Sequence, residues 1–121
     1  LTLPSQDVPR YLASASMAIS FIYDLYFGKA SFPTKIAEYL MSGLPVVMNT
    51  QSRYIKEFIE SNRIGVVLDP ADRRTYGPAI EQIQSLLGDS GLVARCREVA
   101  RAHLGEWVCI NKYLDIYKKL R

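Results

Sequence analysis

Thr34, Lys35 and Glu38 lie within the segment KASFPTKIAEYLMSGLPVVMN, residues 29–49, and are the residues whose types and spacing best suit chemistry. Pro33 at the start and Gly43 at the stop predict a helix between them. Thr34 and Glu38, four apart, then stack on one face, and Lys35 neighbours Glu38 at a spacing of three. The unpaired N–H groups of a first helical turn carry the positive end of the helix dipole, which favours a phosphate. Ser31 and Thr34 would add hydroxyl donors, and small Ala30 and Ser31 would let a ligand approach the backbone. Pro33 gives up an N–H the helix cannot use and fixes the angle at which the chain enters it. One turn further in, the Glu38 carboxylate could accept hydrogen bonds from a vicinal diol, as acidic residues do with ribose. The same residues also fit a plain solvated helix in which Lys35 and Glu38 pair with each other, and spacing alone leaves both readings open.

Elements on either side must position these groups. Asp7, Pro9, Tyr11 and Leu12 predict a short helix capped by Asp7 and running to about Ser14, and MAISFI, residues 17–22, predicts a buried strand. The loop that follows holds Tyr23, Tyr26 and Phe27, which could line a ligand pocket or fold onto the core. PVVMN predicts a strand after Gly43, residues 52–62 a helix through Tyr54, Ile55, Phe58 and Ile59, and IGVVLD a third strand. Beyond a capping Asp72 the chain reads as helical. One stripe holds Tyr76, Ile80, Ile83 and Leu87, a second Leu92, Cys96, Val99 and His103, and a third Trp107, Ile110, Leu114 and Tyr117. Helices alternating with strands too apolar for a solvated face predict a parallel sheet covered on both sides. In such sheets ligands bind beyond the carboxyl ends of the strands, and residues 23–35 occupy one such place.

Bulk composition narrows the classes. A chain of 121 residues, 49% hydrophobic and 22% charged, fits one globular domain. A net charge of +3 with interspersed signs gives no argument for nucleic acid. No apolar run is long enough to span a bilayer. Cys96 and Cys109 lack metal or redox spacing and are expected to be buried thiols; no metal site is expected. His103, the single histidine, is expected to pack in the core, and Trp107, Tyr113 and Tyr117 either to close this core or to dock on another domain.

The string SFPTKIAEYLMSGLPVV, followed by IGVVLD, resembles the C-terminal donor-binding domain of GT-B glycosyltransferases, the glycosyltransferase group 1 or family 4 type. Glu38, Tyr39, Leu40, Ser42, Gly43, Pro45 and Val46 carry the match, and VPRYLASASMAISFI resembles the helix and strand placed before the loop, so the likeness spans about residues 8–69. The resemblance implies a Rossmann-like, doubly wound parallel α/β sheet. Three strands are few for it, so the expected fold is truncated at its N-terminus and ends in a helical C-terminal region. Residues 1–121, which lack an initiator Met, would be part of the C-terminal nucleotide-sugar-binding domain of a larger two-domain protein.

By the same resemblance, the donor is a nucleotide-diphosphate sugar, a substrate rather than a cofactor, and transfer is retaining and metal-independent. Ala30, Ser31, Phe32, Pro33, Thr34, Lys35 and Glu38 are the implied donor-binding residues, with Glu38 on the ribose hydroxyls. The family's other glutamate falls eight residues earlier, at Ala30, which can accept no sugar hydroxyl; no catalytic residue is assigned. Ser16 stands where many relatives have Asp. Implied partners are the donor, a sugar or lipid-linked acceptor and the missing N-terminal domain, in the cytoplasm, with peripheral attachment of the whole protein to the inner face of the membrane as one setting. The isolated chain is expected to be inactive. The competing readings are a non-catalytic GT-B-like binding or regulatory module and an unrelated receiver-like module, whose acidic cluster the sequence lacks.

Overall fold

The computed structural model describes residues 3–22 and 32–120. A 3₁₀ turn, Ser5–Asp7, leads into α1, Val8–Leu12, then β1, Ala18–Ser20. The second described stretch holds α2, Thr34–Met41; β2, Val46–Met48; α3, Arg53–Ser61; and β3, Gly65–Val67. A 3₁₀ turn, Arg73–Thr75, precedes α4, Tyr76–Leu87; α5, Leu92–Leu104; and α6, Glu106–Lys119. α1 is shorter than the sequence predicts, and the Asp7 side chain makes no capping bond, because the 3₁₀ turn places Asp7 itself in helical conformation.

The three strands form one parallel sheet in the order β1-β2-β3, with Ala18, Val46 and Gly65 in one row and Ser20, Met48 and Val67 in another. This is the expected Rossmann-like α/β arrangement with a helical C-terminal region. The core gathers Val46, Met48 and Val66 of the sheet, Ile36 and Leu40 of α2, Ile55, Phe58 and Ile59 of α3, and Leu92, Cys96 and Val99 of α5. α2 packs on α5, while α3 and α4 both lie against β3.

The sheet is not covered on both sides throughout. Paired residues share a face, so Ile19, Val47 and Val66 form one row, and their exposures are 57%, 5% and 1%. Cover is complete over β2 and lost at the edge strand β1, where Phe21 and Ile22 are also exposed.

Helix ends follow the chain's chemistry. α2 closes with a complete Schellman motif: Gly43 N–H donates to the Leu40 carbonyl at 2.9 Å and Leu44 N–H to the Tyr39 carbonyl at 2.9 Å. Gly43 takes the required φ of 85°. α3 closes in the same way, through Arg63 N–H to Glu60 and Ile64 N–H to Ile59, but with Arg63 at φ 51°. Ser52 caps α3 by accepting from Ile55 N–H at 3.4 Å.

Three expected apolar stripes fare differently. On α5, Leu92, Cys96 and Val99 are buried, but His103 is exposed, its ring edge-on to Phe58 at 5.6 Å. On α4 the buried residues are Ala79 and Leu86, while Tyr76, Ile80 and Leu87 face water. The small Ala79 lets the helix approach the sheet, so the contact face is rotated away from the bulkier residues. α6 has no buried residue: Trp107 is 74% exposed, and Tyr113, Leu114 and Tyr117 are exposed with it, so they do not close this core. Cys109, on the same helix, is exposed rather than buried.

Candidate functional site

The carboxyl ends of all three strands open onto one cleft of about 540 Å³. Ile22 follows β1, Asn49 and Thr50 follow β2, and Leu68 and Asp69 follow β3; all line it, with Pro33 from the start of α2, Lys56 from α3 and Thr75 beyond β3. Its position follows from parallel winding, which sends every strand-to-helix loop to the same edge. Its size lies within the ordinary range for small-molecule sites.

Pro33 is the N-cap residue of α2, with φ −64° and ψ 122°, and among the described residues no side chain caps the helix. Proline fixes this geometry and cannot extend the helix backwards. Ile36 N–H donates to the Pro33 carbonyl at 3.0 Å, so the donors of the first turn lie at Thr34 and Lys35. Thr34, Lys35 and Glu38 are exposed on the outer side of α2, opposite the buried Ile36 and Leu40. Among the described residues neither Lys35 nor Glu38 enters an ion pair, so the mutual pair that spacing allows is not made. The Phe32 side chain, half-buried, packs in a T-shape on Phe58 with ring centres 6.0 Å apart.

Of the described residues singled out from sequence, Pro33 lines the cleft, while Thr34, Lys35 and Glu38 follow it on α2 and are not part of the lining. Ala30, Ser31, Tyr23, Tyr26 and Phe27 lie outside the described residues.

The remaining walls are residues that the motif reading passed over. Thr50 Oγ1 accepts from Ser52 N–H at 3.1 Å, setting the start of α3. Asn49 bridges to Ile22: its Oδ1 accepts from Ile22 N–H and its Nδ2 donates to the Ile22 carbonyl, each at 2.8 Å. Beyond β3 the Asp69 carboxylate accepts from Ala71 N–H at 2.9 Å, and the Thr75 hydroxyl lies 3.0 Å and 2.7 Å from the Asp69 and Asp72 carbonyls. Tyr76 Oη donates to the Pro70 carbonyl at 2.6 Å. The Arg74 guanidinium, bound through two nitrogens, holds the Asp72 carboxyl below the usual carboxylate range, assisted by Arg74 N–H. The signal for these residues was positional: each follows a strand's carboxyl end, where the winding rule places ligands.

Among the described residues the cleft therefore offers hydroxyl and amide groups, an ammonium at Lys56 and a carboxylate at Asp69, beside a helix start that no described side chain caps. Such a mixture suits a polar ligand with hydroxyl groups and an anionic portion. Among the described residues no three of His, Cys, Asp and Glu are grouped to hold a metal ion, and no helix is long and apolar enough to cross a membrane.

Comparison with curated proteins and with solved structures found no match to the chain. The sequence model of the family described as glycosyl transferases group 1 matches residues 2–88, which takes in α1 through α4, the whole sheet and every described residue of the cleft. The chain belongs to the group 1 glycosyltransferases.

Proposed function

We propose that this glycosyltransferase domain binds a nucleotide-diphosphate sugar, with the diphosphate at the start of α2, the ribose hydroxyls on Glu38 and the sugar directed into the cleft. The observation that carries the reading is the α2 amino terminus: capped by no side chain among the described residues, it opens beside a cleft formed by the carboxyl ends of β1, β2 and β3. A helix start stabilises negative charge, and N–H donors aimed at a leaving diphosphate would lower the barrier to transfer. Ser31, Phe32, Pro33 and Thr34 would contribute mainly backbone, and Lys35 a nearby positive charge.

On this reading residues 1–121 are the donor-binding part of a larger two-domain protein, and the acceptor, a sugar or a lipid-linked sugar, is held by an N-terminal domain. Transfer is metal-independent and retaining, in the cytoplasm, with the whole protein attached peripherally at the inner face of the membrane as the setting. Ala30 favours one alternative, a glycosyltransferase-like module that binds donor without turning it over, because alanine can neither accept a sugar hydroxyl nor place charge beside the anomeric carbon.

The test is turnover by the complete protein with UDP-glucose, GDP-mannose and ADP-glucose, followed as transfer and as hydrolysis. Release of the nucleoside diphosphate by the wild type supports an active transferase. Binding without release, unchanged in Ala30→Glu, favours the module. No binding of any sugar nucleotide sinks both.

A further inference from the structure

Asn49 and Ile22 are joined by two hydrogen bonds. These residues are 27 apart in sequence, and both line the cleft. Ser20 is the last residue of β1 paired in the sheet, opposite Met48. Ile22 lies two residues beyond it, and Asn49 directly follows Met48. A carboxamide carries the same donor and acceptor as a peptide group, so the Asn49 side chain acts as one more peptide unit of β2 and continues the β1–β2 ladder after regular pairing has ended. One amide orientation alone satisfies both Ile22 groups, with Oδ1 on the N–H and Nδ2 on the carbonyl. Ile22 is itself 41% exposed, so side-chain burial does little to hold it.

We propose that Asn49 is a positioning residue of the donor cleft: its carboxamide fixes the backbone at Ile22, and so fixes the cleft wall that β1 supplies. The inference rests on the donor-site reading and adds to it a residue outside the motif. Asparagine is required for its paired donor and acceptor. Aspartate keeps the shape but sets a carboxylate oxygen against the Ile22 carbonyl, whereas alanine removes both bonds and adds no repulsion. The order of damage is therefore Asp greater than Ala, opposite to the order expected if only side-chain volume mattered.

The experiment uses the complete protein as wild type, Asn49→Asp, Asn49→Ala and Glu38→Ala. Three quantities are read for each: hydrogen exchange of the Ile22 amide, thermal midpoint, and Kd for UDP-glucose, GDP-mannose and ADP-glucose. Loss of the oxygen that accepts from Ile22 N–H is expected to speed Ile22 exchange about tenfold or more in Asn49→Ala. The Kd of the donor that binds is expected to rise about fivefold or more in Asn49→Asp and less in Asn49→Ala, with the folded fraction taken from the thermal midpoint. A merely structural role would lower the midpoint and leave the Kd of the folded protein within about twofold of wild type, which overturns the inference. Unchanged Ile22 exchange also overturns it. If Glu38→Ala weakens donor binding and the Asn49 variants do not, the positioning role alone falls. If the wild type binds none of the three donors, the donor-site reading falls and takes this role with it, whatever the exchange data show.

Discussion

Cys96 is wholly buried in the core, and that burial pushes its thiol from 9.0 up to about 11, with the nearby Arg95 charge opposing the rise. The fold accommodates the neutral thiol. An unfolded chain gives up this proton near 9, so the stability the thiol contributes is present below that pH and is lost as pH rises through about 11. Urea unfolding between pH 8 and 11 should therefore fall more steeply for wild type than for Cys96→Ala, and equal slopes would contradict this. Cys109 is exposed and should react with a thiol reagent in the folded protein, whereas Cys96 should react only on unfolding. At this scale the sequence was informative for Cys96, which sits on a stripe with Leu92 and Val99, and misleading for Cys109, because free cysteines are usually buried and nothing local marks α6 as bare. Asn49 was not legible for a different reason: its partner is the backbone of a residue 27 positions away, and backbone partners leave no side-chain pattern.

Among the elements, α2 is the one whose limits the sequence defines best, because proline and glycine act through backbone dihedrals that hardly depend on tertiary context. Gly43 holds a φ of 85°, and an added Cβ would meet Val93 Cγ1 at 2.7 Å and Arg97 Nε at 3.3 Å. Gly43→Ala should therefore cost about 1–2 kcal/mol from the left-handed backbone alone, and more from crowding at the α2–α5 contact. Chemical denaturation measures this, and a loss below about 0.5 kcal/mol would contradict it. The end of α3 is less transparent, since Arg63 takes the left-handed position that the sequence does not mark with glycine. The face of α4 was misread in part because the large residues Tyr76, Ile80 and Leu87 carry more weight in a periodic pattern than Ala79, although Ala79 and Leu86, with Ile83 of the expected stripe, are the ones that meet the core.

Across the whole molecule, three parallel strands with intervening helices were legible because each strand is a short uncharged run between turn residues and helical stripes. What covers the outer faces was not, since periodicity reports that a face is apolar and not what it meets. Ile19 on β1 and the apolar side of α6 remain in water in this chain. Trp107, the single tryptophan and 74% exposed, should accordingly show water-exposed emission and near-complete quenching by iodide in the 121-residue chain. A shielded, unquenched emission would contradict the described position of α6. The central claim, that the group 1 glycosyltransferase domain holds a sugar nucleotide at the start of α2, is tested most directly by calorimetric titration of the complete protein. UDP-, GDP- and ADP-sugars are each titrated into wild type and Glu38→Ala. One donor should bind the wild type and bind Glu38→Ala about tenfold or more weakly, the cost of losing hydrogen bonds to a charged acceptor. Binding indifferent to Glu38→Ala, or no binding of any donor to the wild type, would contradict the account.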